Sequence, residues 1–494
     1  MIKDNKIWIG QADEPVFILP KMANRHGLIT GATGTGKTVT LKTLAEGFSE
    51  IGVPTFLADI KGDVSGLAAA GKESSLIEER KVAFGMDSFE YQAFPTTFWD
   101  IYGEGGHPVR TTVSEMGPLL LSKLMGLNET QSSVLTIIFK IADENGLLLL
   151  DIKDLKSILD YVYSHNKKLE AEYGLLSSST ISAITRNVLA FEQEGADVFF
   201  GETALDLTDW LRVDASGKGM INILHAVKLF HSPSLYATFL LWMLTELFET
   251  LPEVGDMEKP KMVFFFDEAH LLFKDMPKAL VDKIELVVKL IRSKGIGVYF
   301  ITQNPQDIPN EILSQLGNRI QHALRAYTPS EQKAVKAAAQ SFRANENFDT
   351  EKVITELGTG EALISTLDEK GVPSVVQQAI VIACQSSFDE LPASERSAII
   401  AASPFASKYS NQVDRESAYE ILMVRKQTEL AEQEATALAE ARAKEVIVKE
   451  KAAKPKRTKK TAMEKSVDTA LTTIGREVGK SITRGVLGMF KGFK

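Results

Sequence analysis

The chain has 494 residues, 44% of them hydrophobic and 24% charged, the composition of a globular protein long enough for two or three domains. Its single cysteine, Cys384, excludes an internal disulfide framework and a cysteine-based zinc site, and fits a reducing compartment. A net charge of −9 does not mark the chain as a binder of polyanions, yet it leaves room for a basic pore inside an acidic ring.

In chain order, residues 1–20 mix charges with short apolar runs, unlike a signal peptide, and 6–10 reads as a strand. An apolar strand follows at 26–30, then Gly31-Ala32-Thr33-Gly34-Thr35-Gly36-Lys37-Thr38, then an apolar helix from residue 39. That octet satisfies GxxxxGK[ST] in full, in the strand–loop–helix context the motif requires. Its glycines let backbone N–H groups turn toward a β-phosphate, and the helix N-terminus adds partial positive charge. Lys37 is placed to reach the β- and γ-phosphates, and the Thr38 hydroxyl to bind Mg²⁺. A second strand at 54–60 ends at Asp59. Strand, crossover helix and strand predict a parallel sheet with a right-handed connection. The loop Lys61-Gly62-Asp63-Val64-Ser65-Gly66 then leaves its carboxyl edge, where ligands of such sheets bind.

Residues 112–200 carry apolar positions at helical spacing over 119–127, 134–142, 155–163 and 181–191, which predicts an all-helical insertion serving as a lid, a subunit contact or packing. The α/β rhythm resumes with a strand at 219–224, a helix at 234–251, a strand at 261–267, a helix at 279–293 and a strand at 297–302. A short helix at 311–316, a strand at 319–325, a helical pair and a hairpin of 361–366 with 374–382 follow. The expected organisation is an ATPase core at 1–111 and 201–385 interrupted by the insertion at 112–200. After it come a linker at 386–411, a long charged helix at 412–451 and a basic linker with an amphipathic helix at 452–494. That last helix is suited to an anionic membrane, to a partner's groove, or to folding back on its own chain.

A phosphate loop needs a partner to hold and use magnesium. The apolar run Val263-Phe264-Phe265-Phe266 ends in Asp267-Glu268. Asp267 at the strand tip suits Mg²⁺, and Glu268 suits activation of the attacking water. Gln303 ends the next strand, where it can report on the γ-phosphate. Arg319 and Arg325 flank a later strand, and with Arg292 and Lys294 they are candidates to reach a neighbour's γ-phosphate.

The phosphate loop, FFFDEAH (264–270), TQNPQDIP (302–309) and GNRIQHALRA (317–326) together resemble the HerA-like ATPases, and among them the YjgR-like bacterial branch, over roughly residues 5–385. DRESAYE (414–420) and the basic tail are similar to the same branch. The resemblance implies a RecA-like P-loop core, a homo-hexameric ring with ATP and Mg²⁺ between subunits, and Walker A, Walker B and sensor roles for Lys37, Thr38, Asp267, Glu268 and Gln303. Arg319 or Arg325 then matches the arginine finger. Only about 25 residues precede the phosphate-loop strand, too few for the N-terminal barrel of HerA proper, so docking of a NurA-type nuclease is not expected. The letters D-E-A-H ending at His270 match the DEAH-box helicases by coincidence, since no second motor domain follows residue 330, although His270 can still link the γ-phosphate state to the sheet.

The leading expectation is a cytoplasmic DNA translocase or helicase-like ATPase. A motor tethered to a membrane or protein by its C-terminal helix, and an ATP-dependent assembly switch, are the alternatives. Basic residues suited to a pore (Lys61, Arg110, Lys123, Arg186) are too scattered to outline a DNA track.

Overall fold

The computed structural model describes residues 1–229, 232–255, 257–274, 276, 278–411 and 413–452. The basic amphipathic helix expected after residue 452 lies outside the described residues. The chain divides into two compact units, Met1–Leu422 and Met423–Lys494.

The first unit is built on one sheet. Its strands are β1 (Ile2–Lys3), β2 (Lys6–Gln11), β3 (Pro15–Ile18), β4 (Gly27–Thr30), β5 (Thr55–Asp59), β6 (Thr96–Asp100) and β7 (His107–Pro108). The rest are β8 (Ile221–His225), β9 (Met262–Phe266), β10 (Ile296–Thr302), β11 (Asn318–Gln321), β12 (Glu361–Ser365) and β13 (Gln377–Val381). The order is β1-β2-β13-β12-β11-β4-β10-β9-β5-β8-β6-β7, with β3 on β2. From β11 to β7 every neighbouring pair is parallel, whereas β12, β13, β2, β3 and β1 form an antiparallel wing.

The central strands read as unbroken apolar runs because helices cover both faces. Every residue of Met262–Phe266 and of Ile296–Thr302 is buried. Alternate side chains divide between the faces. Phe264, Phe266 and Phe300 join one core with Phe56, Trp99 and the helices of 113–191, 233–250 and 278–291. Val263, Phe265, Tyr299 and Ile301 join the other with Leu41, Leu44 and Phe48 of the helix Lys37–Glu50.

The stretch 112–200 carries the helices Val113–Leu124, Glu129–Glu144, Ile152–Tyr173 and Ser178–Phe191. Thr112, Asn128 and Asp151 open the first three as reciprocal capping boxes, satisfying amides that would otherwise lack partners. Their apolar faces share the same core as the first sheet face.

Three expectations need correction. Residues 386–411 are not a linker: they carry the helices Ala393–Ala402 and Ala406–Tyr409, packed onto the sheet's edge. The rings of Phe405 and Tyr409 lie 5.5 and 5.4 Å from Trp99, and the Arg396 guanidinium lies 3.0 Å from the His225 ring nitrogen. Elements this short carry no usable periodicity, so only packing reveals them. The strand expected at 319–325 stops at Gln321. The sheet also extends past β8 through β6 and β7, where the sequence suggested no strand.

The helix Ala418–Ala452 covers the long charged stretch, and beyond Leu422 its described side chains are mostly exposed. Among the described residues no helix is long and apolar enough to cross a membrane.

Candidate functional site

The phosphate loop joins the carboxyl end of β4 to the helix Lys37–Glu50. Gly34 and Gly36 take φ of 78° and 112°, which side chains other than glycine avoid. A methyl at Gly31 would lie 2.5 Å from His322 Cβ. Neighbouring segments brace the loop: the Ala32 N–H donates to Ala323 O (2.8 Å) and the Gly360 N–H to Thr35 O (3.0 Å). His322 ties it further, with one ring nitrogen 2.8 Å from Thr40 Oγ1 and the other 2.9 Å from Glu361 O. Thr33 and Gly34 remain exposed at its tip.

Lys37 folds back on this loop, donating to Gly31 O (2.6 Å) and Ala32 O (3.0 Å). Burial, then the charge of Lys61, hold its ammonium below the ordinary lysine range, although Asp267, Glu268 and Asp63 pull the other way. A phosphate arriving here meets an ammonium already aimed into the loop and little hydrated.

The tips of β5, β9 and β10 supply the second half. Thr38 Oγ1 donates to Asp63 Oδ2 (3.0 Å), and Asp59 Oδ1 accepts the Gly62 N–H (2.7 Å). Asp63 Oδ1 and Asp59 Oδ2 are buried without a partner. Burial pushes Asp59 up to about 7, with the charge of Asp63 adding to the effect. Asp267 is likewise pushed up to about 6 by burial, against the pull of Lys61.

Glu268 follows with φ 47°, a left-handed conformation rare for this residue type. The turn aims its carboxylate at Lys61 Nζ (2.6 Å), His270 Nδ1 (3.2 Å) and Gln303 Nε2 (3.3 Å). Burial alone would raise its pKa, but the hydrogen bond and charge of Lys61 and the Gln303 amide hold it below the ordinary carboxylate range.

The donor set suits a hard divalent cation. Among the described residues no group of three or more His, Cys, Asp or Glu side chains forms a metal cage. Mg²⁺ needs none, because it binds through one or two protein oxygens and takes the rest from phosphates and water. Thr38, Asp267 and the unpartnered oxygens of Asp63 and Asp59 offer oxygen donors of the kind such a cation could use.

The structure therefore brings Lys37, Thr38, Asp267, Glu268 and Gln303 to one rim. It does not bring Arg319 there. That guanidinium is spent on three carbonyls of its own chain, Leu316 O (3.0 Å), Leu313 O (2.9 Å) and Ser341 O (3.1 Å). Arg325 is exposed just beyond Ala323. Lys294 lies 4.9 Å from the ring of Phe248. Lys61, read from sequence as a scattered pore residue, sits inside the site. His270 is likewise in contact with Glu268, in keeping with a link between the site and the sheet and without bearing on the DEAH-box match. Asp59, Asp63 and His322 were not singled out as site residues, although Asp59 ends a strand, Asp63 lies in the loop leaving the sheet's carboxyl edge and His322 lies within GNRIQHALRA.

A phosphate loop on a parallel sheet, with Asp-Glu at the tip of β9 and a glutamine at the tip of β10, defines a P-loop NTPase with a RecA-like core. The sequence model of the family described as "Helicase HerA-like C-terminal" matches residues 4–494, and the chain belongs to that family. A 120-residue segment is 29% identical to a probable helicase, MJECL08, of Methanocaldococcus jannaschii, covering 24% of this chain and only 21% of that relative's length. The fold is shared with VirB4 of Thermoanaerobacter pseudethanolicus, at 15% identity and a TM-score of 0.50, over 77% of this chain and 97% of that one. It is also shared with the plasmid coupling protein TrwB in complex with an ATP analogue, at 15% identity and a TM-score of 0.53, over 80% and 92%. A further TrwB structure contains ADP and Mg²⁺.

Proposed function

We propose that this chain is a cytoplasmic, Mg²⁺-dependent ATPase that assembles as a homo-hexameric ring and translocates DNA. The observation that carries the reading is the Glu268 carboxylate, held by Gln303 at the strand tips beside the phosphate loop. Lys37 would bind the β- and γ-phosphates, with the loop amides as the remaining anion donors. Thr38 and Asp267 would hold the cation, which neutralises charge on the phosphate oxygens. Glu268 would accept the proton of the attacking water, and Gln303 would keep that carboxylate and the water in line. ATP and Mg²⁺ are supported by the ATP analogue in one TrwB structure and the ADP with Mg²⁺ in another. A finger acting across subunits must be exposed, which favours Arg325 over Arg319. DNA as the track rests on family membership.

Steady-state ATP hydrolysis by the purified chain, alone and with linear duplex DNA, beside Glu268→Gln, tests the reading. DNA stimulation that vanishes in the variant supports it. Hydrolysis that needs Glu268 but ignores DNA removes the DNA track. Hydrolysis indifferent to the substitution removes the site assignment.

A further inference from the structure

We propose that Lys61 and Asp63 form a latch that restrains the Glu268 carboxylate until magnesium and nucleotide claim the Thr38 hydroxyl. The inference rests on Glu268 being the hydrolytic base.

Both oxygens of that base are occupied. Oε1 faces Lys61 Nζ at 2.6 Å and Gln303 at 3.3 Å, and Oε2 faces His270 at 3.2 Å and Gln303 at 3.5 Å. A carboxylate in a charge-assisted hydrogen bond to an ammonium has little capacity left to accept a proton from water. The Lys61 side chain retains 39% of its exposure, so it has space to swing away.

Lys61 also shares a three-residue turn with Asp63, whose Oδ2 accepts the Thr38 hydroxyl at 3.0 Å. The middle of the turn is anchored, so a displacement of one end is passed to the other as a pivot about Gly62. Gly62 has φ 85°, its N–H donates to Asp59 Oδ1 (2.7 Å), and its carbonyl accepts Ser65 Oγ (3.1 Å). One end of the turn therefore reads the magnesium ligand of the phosphate loop, and the other end holds the base. Asp63 Oδ1, buried and unpartnered, is the acceptor that a cation or its water shell would engage. Re-aiming Thr38 and engaging Asp63 would pivot the turn about Gly62 and draw Lys61 off Glu268. The base is thus freed only when both Mg²⁺ and nucleotide are in place.

A binding cycle in the full chain tests this without relying on turnover. Calorimetry would measure affinity for Mg²⁺ with a non-hydrolysable ATP analogue in the wild type, Lys61→Met, Glu268→Gln and the double variant. Loading must break the latch, so each single variant should bind about threefold more tightly, as expected for a half-exposed ion pair, and the double variant no more tightly than either. Lys61→Met should also raise turnover at ATP concentrations below saturation by a similar factor, with its unfolding midpoint unchanged. Additive effects, weaker binding or lower turnover in Lys61→Met would overturn the latch. If Glu268→Gln retains hydrolysis, the reading of the base fails instead, a result separable from the binding cycle.

Discussion

Replacing Tyr409 asks whether residues 386–411 are part of the folded core. The Tyr409 side chain is fully buried, and its hydroxyl donates to Asp209 Oδ2 (2.7 Å) while accepting the Asp206 N–H (3.2 Å). Burial would raise the pKa of Asp209, yet Lys408 (2.7 Å), the Tyr409 hydroxyl and Arg212 (2.6 Å) hold it below the ordinary range. Tyr409→Phe keeps the ring and removes both hydrogen bonds. Lys408 and Arg212 still compensate the carboxylate, so the cost should be about 2 kcal/mol, within the range for bonds to charged groups. Tyr409→Ala additionally empties the space beside Trp99 and Phe405, whose rings lie 5.4 and 6.1 Å away, and should cost roughly 3–5 kcal/mol. Urea unfolding followed by tryptophan emission suits the measurement, since Trp99 stands at the junction. A loss under about 1 kcal/mol in Tyr409→Ala would restore the linker reading. Equal losses in the two variants would show that the ring packing contributes nothing.

Glu46 is fully buried, accepts the N–H groups of Gln385 (2.8 Å) and Ser386 (3.0 Å), and is pushed up to about 7 by burial. Because the folded state holds this proton more tightly than the unfolded chain, its stabilisation is complete below the ordinary glutamate range and is lost as pH rises through about 7. That loss is on the order of 3 kcal/mol. Glu46→Gln should flatten this part of the stability–pH curve, and an unchanged slope would refute the assignment. Gly31→Ala places a methyl 2.5 Å from His322 Cβ and 3.2 Å from its Cα. Affinity for a fluorescent ATP analogue should fall by about tenfold or more, the cost of distorting a packed loop; unchanged binding would show that the loop yields freely. Arg319→Ala strands three carbonyls and should lower the unfolding free energy by about 1–3 kcal/mol. Arg325→Ala should leave stability intact and lower hydrolysis in the assembled protein, whereas the reverse pattern would exchange their roles.

The core of the site was legible because each part is contiguous. GATGTGKT lies between an apolar strand and an apolar helix, Asp267-Glu268 ends a run of buried phenylalanines, and Gln303 ends the next strand. Backbone conformation follows from neighbours in sequence: glycines where φ must be positive, unbroken apolar runs where both faces are covered, and capping boxes at Thr112, Asn128 and Asp151 where helices begin. Apolar runs placed the sheet's centre and apolar helical spacing placed the helices of 113–191 without tertiary information, while the capping boxes emerged only in the structure.

Side-chain partnership follows from distance in space. Nothing in the sequence around Lys61 distinguishes an exposed lysine from one 2.6 Å from Glu268, because the loops after β5 and β9 meet only once the strands pair. Arg319 illustrates the converse. Its sequence position made it, with Arg325, a candidate finger for a neighbour's γ-phosphate, and the fold spends it on backbone carbonyls of its own chain. Phe405 and Tyr409 sit in helices too short for a readable pattern, and become core residues only because β6 carries Trp99 to the sheet's edge. The chemistry was set by contiguous residues, whereas its restraint and bracing depended on which distant charges and rings the sheet brought together.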